Sequence, residues 1–274
     1  MHEPPADTSD GTPPGGGHAA GASHAPSGSY DPAGYGETHA GVYDRIYPAF
    51  ATDAAVARIV AMASATPGPV LDLGVGTGRL AIPLRAAGVD AHGIDASPAM
   101  LAELRARPGG AAVPVREADI ADFDLPDRFA VVVCAVSTLF MLPDRGRQAA
   151  CLRAARRHLR PGGLVVVEAF VPDPGRFDAD GRRVELRRFD DDGFHLVVSH
   201  HRPDRQTITV VHVVADGPGV LRRQVVLHYA TVAELDAMAG EAGLVLVGRD
   251  GGWDGRPPGP DTTDLVSTYQ ARQH

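Results

Sequence analysis

Between Val70 and Leu80 the sequence reads VLDLGVGTGRL, an apolar run that breaks into glycines at 74, 76 and 78, with Asp72 two residues ahead of them. A glycine turn between a strand and a helix lets a ligand come against backbone N–H groups and the helix N-terminus. The same turn also serves tight strand–helix packing, and its GxGxG spacing is not the GxGxxG of dinucleotide folds. Two more acids are spaced to join it. Asp95 closes DAHGID, 17 residues after Gly78, and Asp119 closes VREAD. A carboxylate ending the second strand of a doubly wound sheet can accept both hydroxyls of a ribose. Asp119 and Ile120 can bracket an adenine, the acid toward the exocyclic amine and the isoleucine toward the ring. Asp72 can orient the loop or a ligand's ammonium group. Three acids at the ends of three successive strands converge on one crevice.

Other residues offer proton chemistry. His200, His201, His212 and His228 fall on alternating strand patterns, with Tyr229 beside His228. Adjacent His200 and His201 point to opposite faces, so at most one faces a shared pocket. His201, His228 and Glu168, which ends the fifth strand, are the candidate bases; solvated or core-satisfied side chains are the competing reading. Ser137 and Thr138 fit the mouth of a substrate site. Arg182, Arg183, Arg187, Arg188, Arg222 and Arg223 can greet an acidic substrate or form a solvated strand face. Trp253 can cap an apolar substrate or pack in a core. Cys134 and Cys151 form no CxxC pair and read as buried, inert thiols of a reducing compartment.

All 26 basic residues are arginine. Without lysine, a Walker-type phosphate loop and every Schiff-base mechanism are excluded. A net charge of −8 argues against nonspecific nucleic-acid binding, which runs on neutralising phosphates. No apolar stretch is long enough to span a bilayer, and the amino terminus lacks a signal-peptide layout, so the expected location is cytoplasmic.

These residues need a frame to hold them. Residues 1–40, dominated by Gly, Pro, Ala, Ser and His, read as a disordered tail, although the part near Tyr30 and Tyr35 can order over a ligand. The tail's His18, His24 and His39 are too scattered for a good metal site. GVYDRIYPAF and DAAVARIVAMASA read as helices, and strands then alternate with amphipathic helices: VLDL, GRLAIPLRAAG, DAHGID, SPAMLAELRAR, AAVPVREAD, FAVVVCAV, DRGRQAACLRAARRHLR ending at ProGlyGly, and LVVVEAF. Val-rich strands alternating with helices imply an α/β, doubly wound, mostly parallel sheet of seven strands covered on both faces. Residues 172–229 break that rhythm with four segments of period two, an inserted antiparallel meander. It serves as a lid or substrate platform, or as an edge extension or dimerisation surface. The expected organisation is therefore a tail (1–40), a cofactor-binding core with N-terminal helices (41–171), the β insertion (172–229), and a last helix and two strands (230–274).

From Val70 to Glu168 the chain resembles the class I S-adenosylmethionine-dependent methyltransferases, a Rossmann-like family. VLDLGVGTG is similar to its first motif, HGIDAS to the acidic ribose loop, READIADFDL to the adenine loop, FAVVVCAVSTLF to the fourth strand and its loop, and LRPGGLVVVEAF to the fifth strand. The resemblance implies S-adenosylmethionine as cofactor, S-adenosylhomocysteine as product and no metal. It places Asp72, Gly74, Gly76, Gly78, Asp95, Ala96, Asp119, Ile120 and Ala135 around the cofactor. More loosely, YDRIY and the meander resemble small-molecule methyltransferases such as the aminosugar N,N-dimethyltransferases, in which the tyrosine of YD, here Tyr43, closes over the cofactor, with Tyr47 as a second candidate. Where that group can carry a histidine after the fourth strand, this chain has Met141, which counts against N-methylation of a sugar. The implied activity is O-, N- or C-methylation of a small-molecule acceptor by in-line displacement, with no nucleic-acid or membrane partner, in a monomer or homodimer. A peptide acceptor, a nicotinamide-dependent oxidoreductase and a catalytically silent cofactor-binding protein are the alternatives.

Overall fold

The structure is a computed structural model describing residues 30–47, 52–216 and 219–272. Its folded unit runs from Asp31 onward. Two short helices open it, α1 (Gly34–His39) and α2 (Tyr43–Ile46), joined by the 3-10 turn Ala40–Val42. They are followed by α3 (Thr52–Ala65). The core alternates β1 (Val70–Leu73), α4 (Ala81–Ala86), β2 (Ala91–Asp95), α5 (Pro98–Ala106), β3 (Val115–Glu117), β4 (Phe129–Cys134), α6 (Arg145–Arg157) and β5 (Leu159–Phe170). Strands β6 (Arg182–Asp190), β7 (Gly193–Arg202), β8 (Thr207–Asp216) and β9 (Gly219–His228) form the meander. Helix α7 (Val232–Glu241), β10 (Leu244–Asp250) and β11 (Asp264–Ala271) complete the chain.

The main sheet has seven strands in the order β10-β11-β5-β4-β1-β2-β3. Pairing is parallel from β3 to β5 and antiparallel on both sides of β11, so β11 alone runs against the rest. Strands β1 and β4 are buried at every position, which requires cover on both faces and explains their unbroken apolar runs. Ile59 of α3 and Leu84 of α4 join Val70, Val131 and Val166 in one apolar cluster. The strand order reverses between β1 and β4, and at that switch point the carboxyl ends of the strands open a crevice.

The meander is a separate antiparallel sheet, β6-β7-β8-β9. One face buries His195, Val197, His201, Ile208, His212 and Val214; the other leaves Val184, Leu186 and Phe189 exposed. Period-two alternation set which residues share a face, as the sequence pattern implies.

Three local expectations need correction. The tail does not extend to residue 40, because Tyr35 and His39, four apart on α1, stack at 4.0 Å and His39 is buried. Residues 1–29, and with them His18 and His24, lie outside the described residues. Helix α6 stops at Arg157 rather than at ProGlyGly, which lies inside β5 where the pairing register with β4 shifts. Finally, β3 spans three residues because Gly110–Ala112 takes a 3-10 turn ahead of it.

Candidate active site

Gly74, Gly76 and Gly78 all adopt left-handed φ, of 71°, 53° and 85°. Each is glycine for a further reason. A Cβ on Gly74 would stand 2.6 Å from Thr138 Cγ2, and one on Gly78 would stand 2.7 Å from Ile82 Cδ1. At Gly76 a Cβ would meet only Gly74 O, at 3.9 Å, so the turn presents bare backbone to open space. The cleft in front of it is lined by Asp72, Arg79, Ala135, Val136 and Thr138, with Tyr43 of α2 among them.

Asp72 lines this cleft at the end of a fully buried strand. Burial, aided by the Asp95 charge, pushes its carboxyl up to about 8, and no hydrogen bond from the described residues holds its ionised form. Asp95 ties two elements together: one oxygen accepts from Gly76 N at 2.9 Å and the other from Ser97 N at 2.9 Å. Ser97 in turn caps α5, its hydroxyl accepting from Met100 N at 3.2 Å. Ala96, between them, donates its backbone N–H to Asp95.

Asp119 has partners within the protein. One oxygen accepts from Ala121 N at 2.8 Å and the other from Arg147 at 2.6 Å, so the carboxylate is turned toward α6. Ile120 is buried beside it. Among the candidate bases, Glu168 is committed to the loop after β4. It accepts from Val136 N at 2.6 Å and from the Trp253 side chain, while burial raises its carboxyl. That loop is strained: Val136 and Ser137 both have positive φ, 53° and 56°, unusual for a β-branched residue. Ser137 N donates to Glu168 O, and Phe170 N donates to Ser137 Oγ, so β5 holds the loop against the cleft.

His201 is buried, with Nε2 2.9 Å from Tyr229 Oη, and burial lowers its pKa. His228 is half-buried at the end of β9, lowered by burial, with its carbonyl accepting from Gln148. Neither lines the cleft.

The N-terminal helices form a strap over this region. Glu37 accepts from Ser97 Oγ at 2.8 Å and Ala99 N at 3.2 Å, and Asp44 pairs with Arg107, just past the end of α5. Gly36 packs so closely that a Cβ there would lie 2.2 Å from Ser97 Cβ. On the other side Arg45 pairs with Asp216, and Arg223 donates to Thr38 O at 2.6 Å. The strap sets Tyr43 in the cleft, where burial pushes its phenol up to about 12. Arg79 lies 5.3 Å from the Tyr43 ring centroid and donates to Tyr47 O at 2.9 Å. Sequence reasoning passed over Arg79 and Glu37; a cation directly after GxGxG was the available signal for the first, and none marked the second.

Residues 70–163 match the family model described as a methyltransferase domain. The cypemycin N-terminal methyltransferase of a Streptomyces species is 30% identical over 226 residues, 81% of this chain and 91% of that protein. The chain belongs to the S-adenosylmethionine-dependent methyltransferases. The similarity extends to solved structures. The CcbJ methyltransferase of Streptomyces caelestis is 38% identical, with a TM-score of 0.80 over 89% of this chain and 100% of that one. CalS10, an amino pentose methyltransferase of Micromonospora echinaspora seen with S-adenosylmethionine bound, is 25% identical, with a TM-score of 0.65 over 83% of this chain and 95% of its own. Family membership sets aside the nicotinamide reading, and CalS10 is involved in calicheamicin biosynthesis.

The cleft fits the methyltransferase cofactor on its own chemistry. A bare glycine cradle, a carboxyl with no hydrogen-bond partner among the described residues and an arginine share one opening, and a zwitterionic amino acid joined to a nucleoside matches them.

Proposed function

We propose that this enzyme methylates an amino nitrogen of a small specialised metabolite. The observation that carries the reading is the reach of the resemblance. Relatives named for an N-terminal amine and for an amino sugar match this chain through the meander as well as the cofactor core. A peptide N-terminus is the second reading, favoured by the cypemycin enzyme.

In this reading Asp95 receives the ribose hydroxyls while keeping the turn at Gly76 closed. Asp72 holds the ammonium group and Arg79 the carboxylate of the cofactor's amino-acid end. Tyr43 covers that end from the strap. When bound, the cofactor supplies an electrophilic methyl on a sulfonium, so the protein's contribution is alignment, worth roughly 7–11 kcal/mol for well-oriented reactants. A neutral amine carries its own lone pair and needs no strong base during attack. That accords with buried imidazoles held neutral, and with Glu168 serving as a brace for the Val136–Ser137 loop.

The deciding experiment is turnover with labelled S-adenosylmethionine on matched amines, phenols and free-N-terminal peptides, with the methylated atom located by NMR. Label on an amine nitrogen of a small molecule is expected. Transfer only to oxygen or carbon would overturn the amine assignment, and transfer only to peptides would replace the acceptor class.

A further inference from the structure

The inner face of the meander carries a buried polar chain that cofactor binding alone does not call for. His212 on β8 and His195 on β7 are each 5% exposed. His195 Nε2 lies 3.1 Å from His212 Nδ1, and His212 Nε2 lies 3.0 Å from Tyr47 Oη. The Tyr35 and Tyr47 hydroxyls are hydrogen-bonded in turn. A neutral imidazole has one N–H and one lone pair. If Tyr35 donates to Tyr47, Tyr47 to His212 and His212 to His195, every link is satisfied with both rings neutral. Burial, with the neighbouring His195 as a smaller cause, pushes His212 down to about 4, so it stays neutral near pH 7.

Such a chain joins parts that are far apart in sequence and allows one docking position, because a shifted strap would leave buried polar atoms unpaired. At Tyr47 the chain connects to residues of the cleft. The Tyr47 carbonyl accepts from Arg79, and Arg79 is in cation–π contact with Tyr43, which lines the same cleft.

We propose that His212 is a positioning residue for the amino-acid end of the cofactor: through Tyr47 it fixes the strap on the cleft, and with it the place of the Arg79 guanidinium. This rests on the assignment of Arg79 to the cofactor carboxylate. The meander thereby acts on the cofactor site.

The test is titration calorimetry of the full chain and its variants H212F, H212Q, Y47F and H212F/Y47F. Two ligands are compared: S-adenosylhomocysteine, and 5′-methylthioadenosine, which keeps the nucleoside and thioether but lacks the amino-acid end. H212F and Y47F should each weaken S-adenosylhomocysteine by roughly 5–20-fold, the scale of one or two lost hydrogen bonds. The double variant should lose clearly less than the two single losses combined, because both remove the Tyr47–His212 link. H212Q, which keeps a hydrogen-bonding group facing Tyr47, should recover most of the affinity. Methylthioadenosine should be unaffected within about twofold on the same argument.

Equal weakening of both ligands would make His212 a general support of the fold and overturn the proposal. Unchanged S-adenosylhomocysteine affinity in H212F and Y47F would do the same, as would additive losses. Y47F removes a single oxygen, so the result stands if H212F folds poorly. If R79A left S-adenosylhomocysteine affinity intact, the carboxylate assignment would fail first; intact R79A sensitivity with unaffected H212F and Y47F would overturn the positioning role alone.

Discussion

Asp72 sits at the end of a strand buried at every position, with its carboxyl raised from 3.8 to about 8 and Asp95 nearby. A carboxyl held this way in the folded state stabilises the fold below about pH 4, and that contribution is lost as pH rises toward 8. An ammonium ligand reverses the preference by favouring the ionised form. Cofactor binding at pH 7 should therefore release a proton, seen as a dependence of calorimetric enthalpy on the buffer's ionisation enthalpy. Asp72→Asn should abolish that dependence; if it persists unchanged, another group is titrating. Glu168 offers a sharper contrast. As a brace it needs only an acceptor for Val136 N, so Glu168→Gln should keep near-normal turnover. Glu168→Leu leaves that N–H unpaired and should destabilise the protein by about 1–3 kcal/mol in denaturant unfolding. Loss of turnover in a folded Glu168→Gln would return Glu168 to the role of base.

At the scale of elements, the strap was the least legible part of the chain. Residues 31–40 look like tail because their apolar content is low, and α1 holds through stacking of Tyr35 on His39 and through Glu37 at the start of α5. Local pattern contains none of that. Glu37→Ala should remove an acceptor from the first turn of α5, costing about 0.5–2 kcal/mol there, and should speed amide exchange of α1 measured by mass spectrometry. Exchange that does not change would mean that the ion pairs Arg107–Asp44 and Arg45–Asp216 suffice to hold the strap. The meander, by contrast, was readable in full, because alternation at period two is a direct record of which side is buried.

For the whole molecule, the cleft lies where the strap meets the carboxyl edge of the parallel sheet, and the meander holds the strap from its other side. A ligand that binds the folded state alone stabilises it by about 2.7 kcal/mol at a hundredfold excess over Kd. For a chain of this size that corresponds to a rise in Tm of roughly 5–10 °C. S-adenosylhomocysteine should produce such a shift in differential scanning calorimetry, and Asp95→Ala should shrink it. No shift at saturating ligand would show that the cofactor does not engage the folded core.

The sequence by itself determined the succession of strands and helices along the chain, the glycine turn and the acids at the strand ends. These are local: apolar runs mark strands buried on both faces, and each acid lies in or just beyond the carboxyl end of its own strand. Tertiary structure decided what those acids do. Asp119 meets Arg147, 28 positions away, and Asp95 closes on Gly76. Glu168 meets Val136 N because Val136 and Ser137 adopt left-handed backbone that no residue type announces. His212 acquired its partners only when the strands of the meander and the strap were brought together, since hydrogen bonds between distant segments depend on packing and leave no periodic trace in the chain.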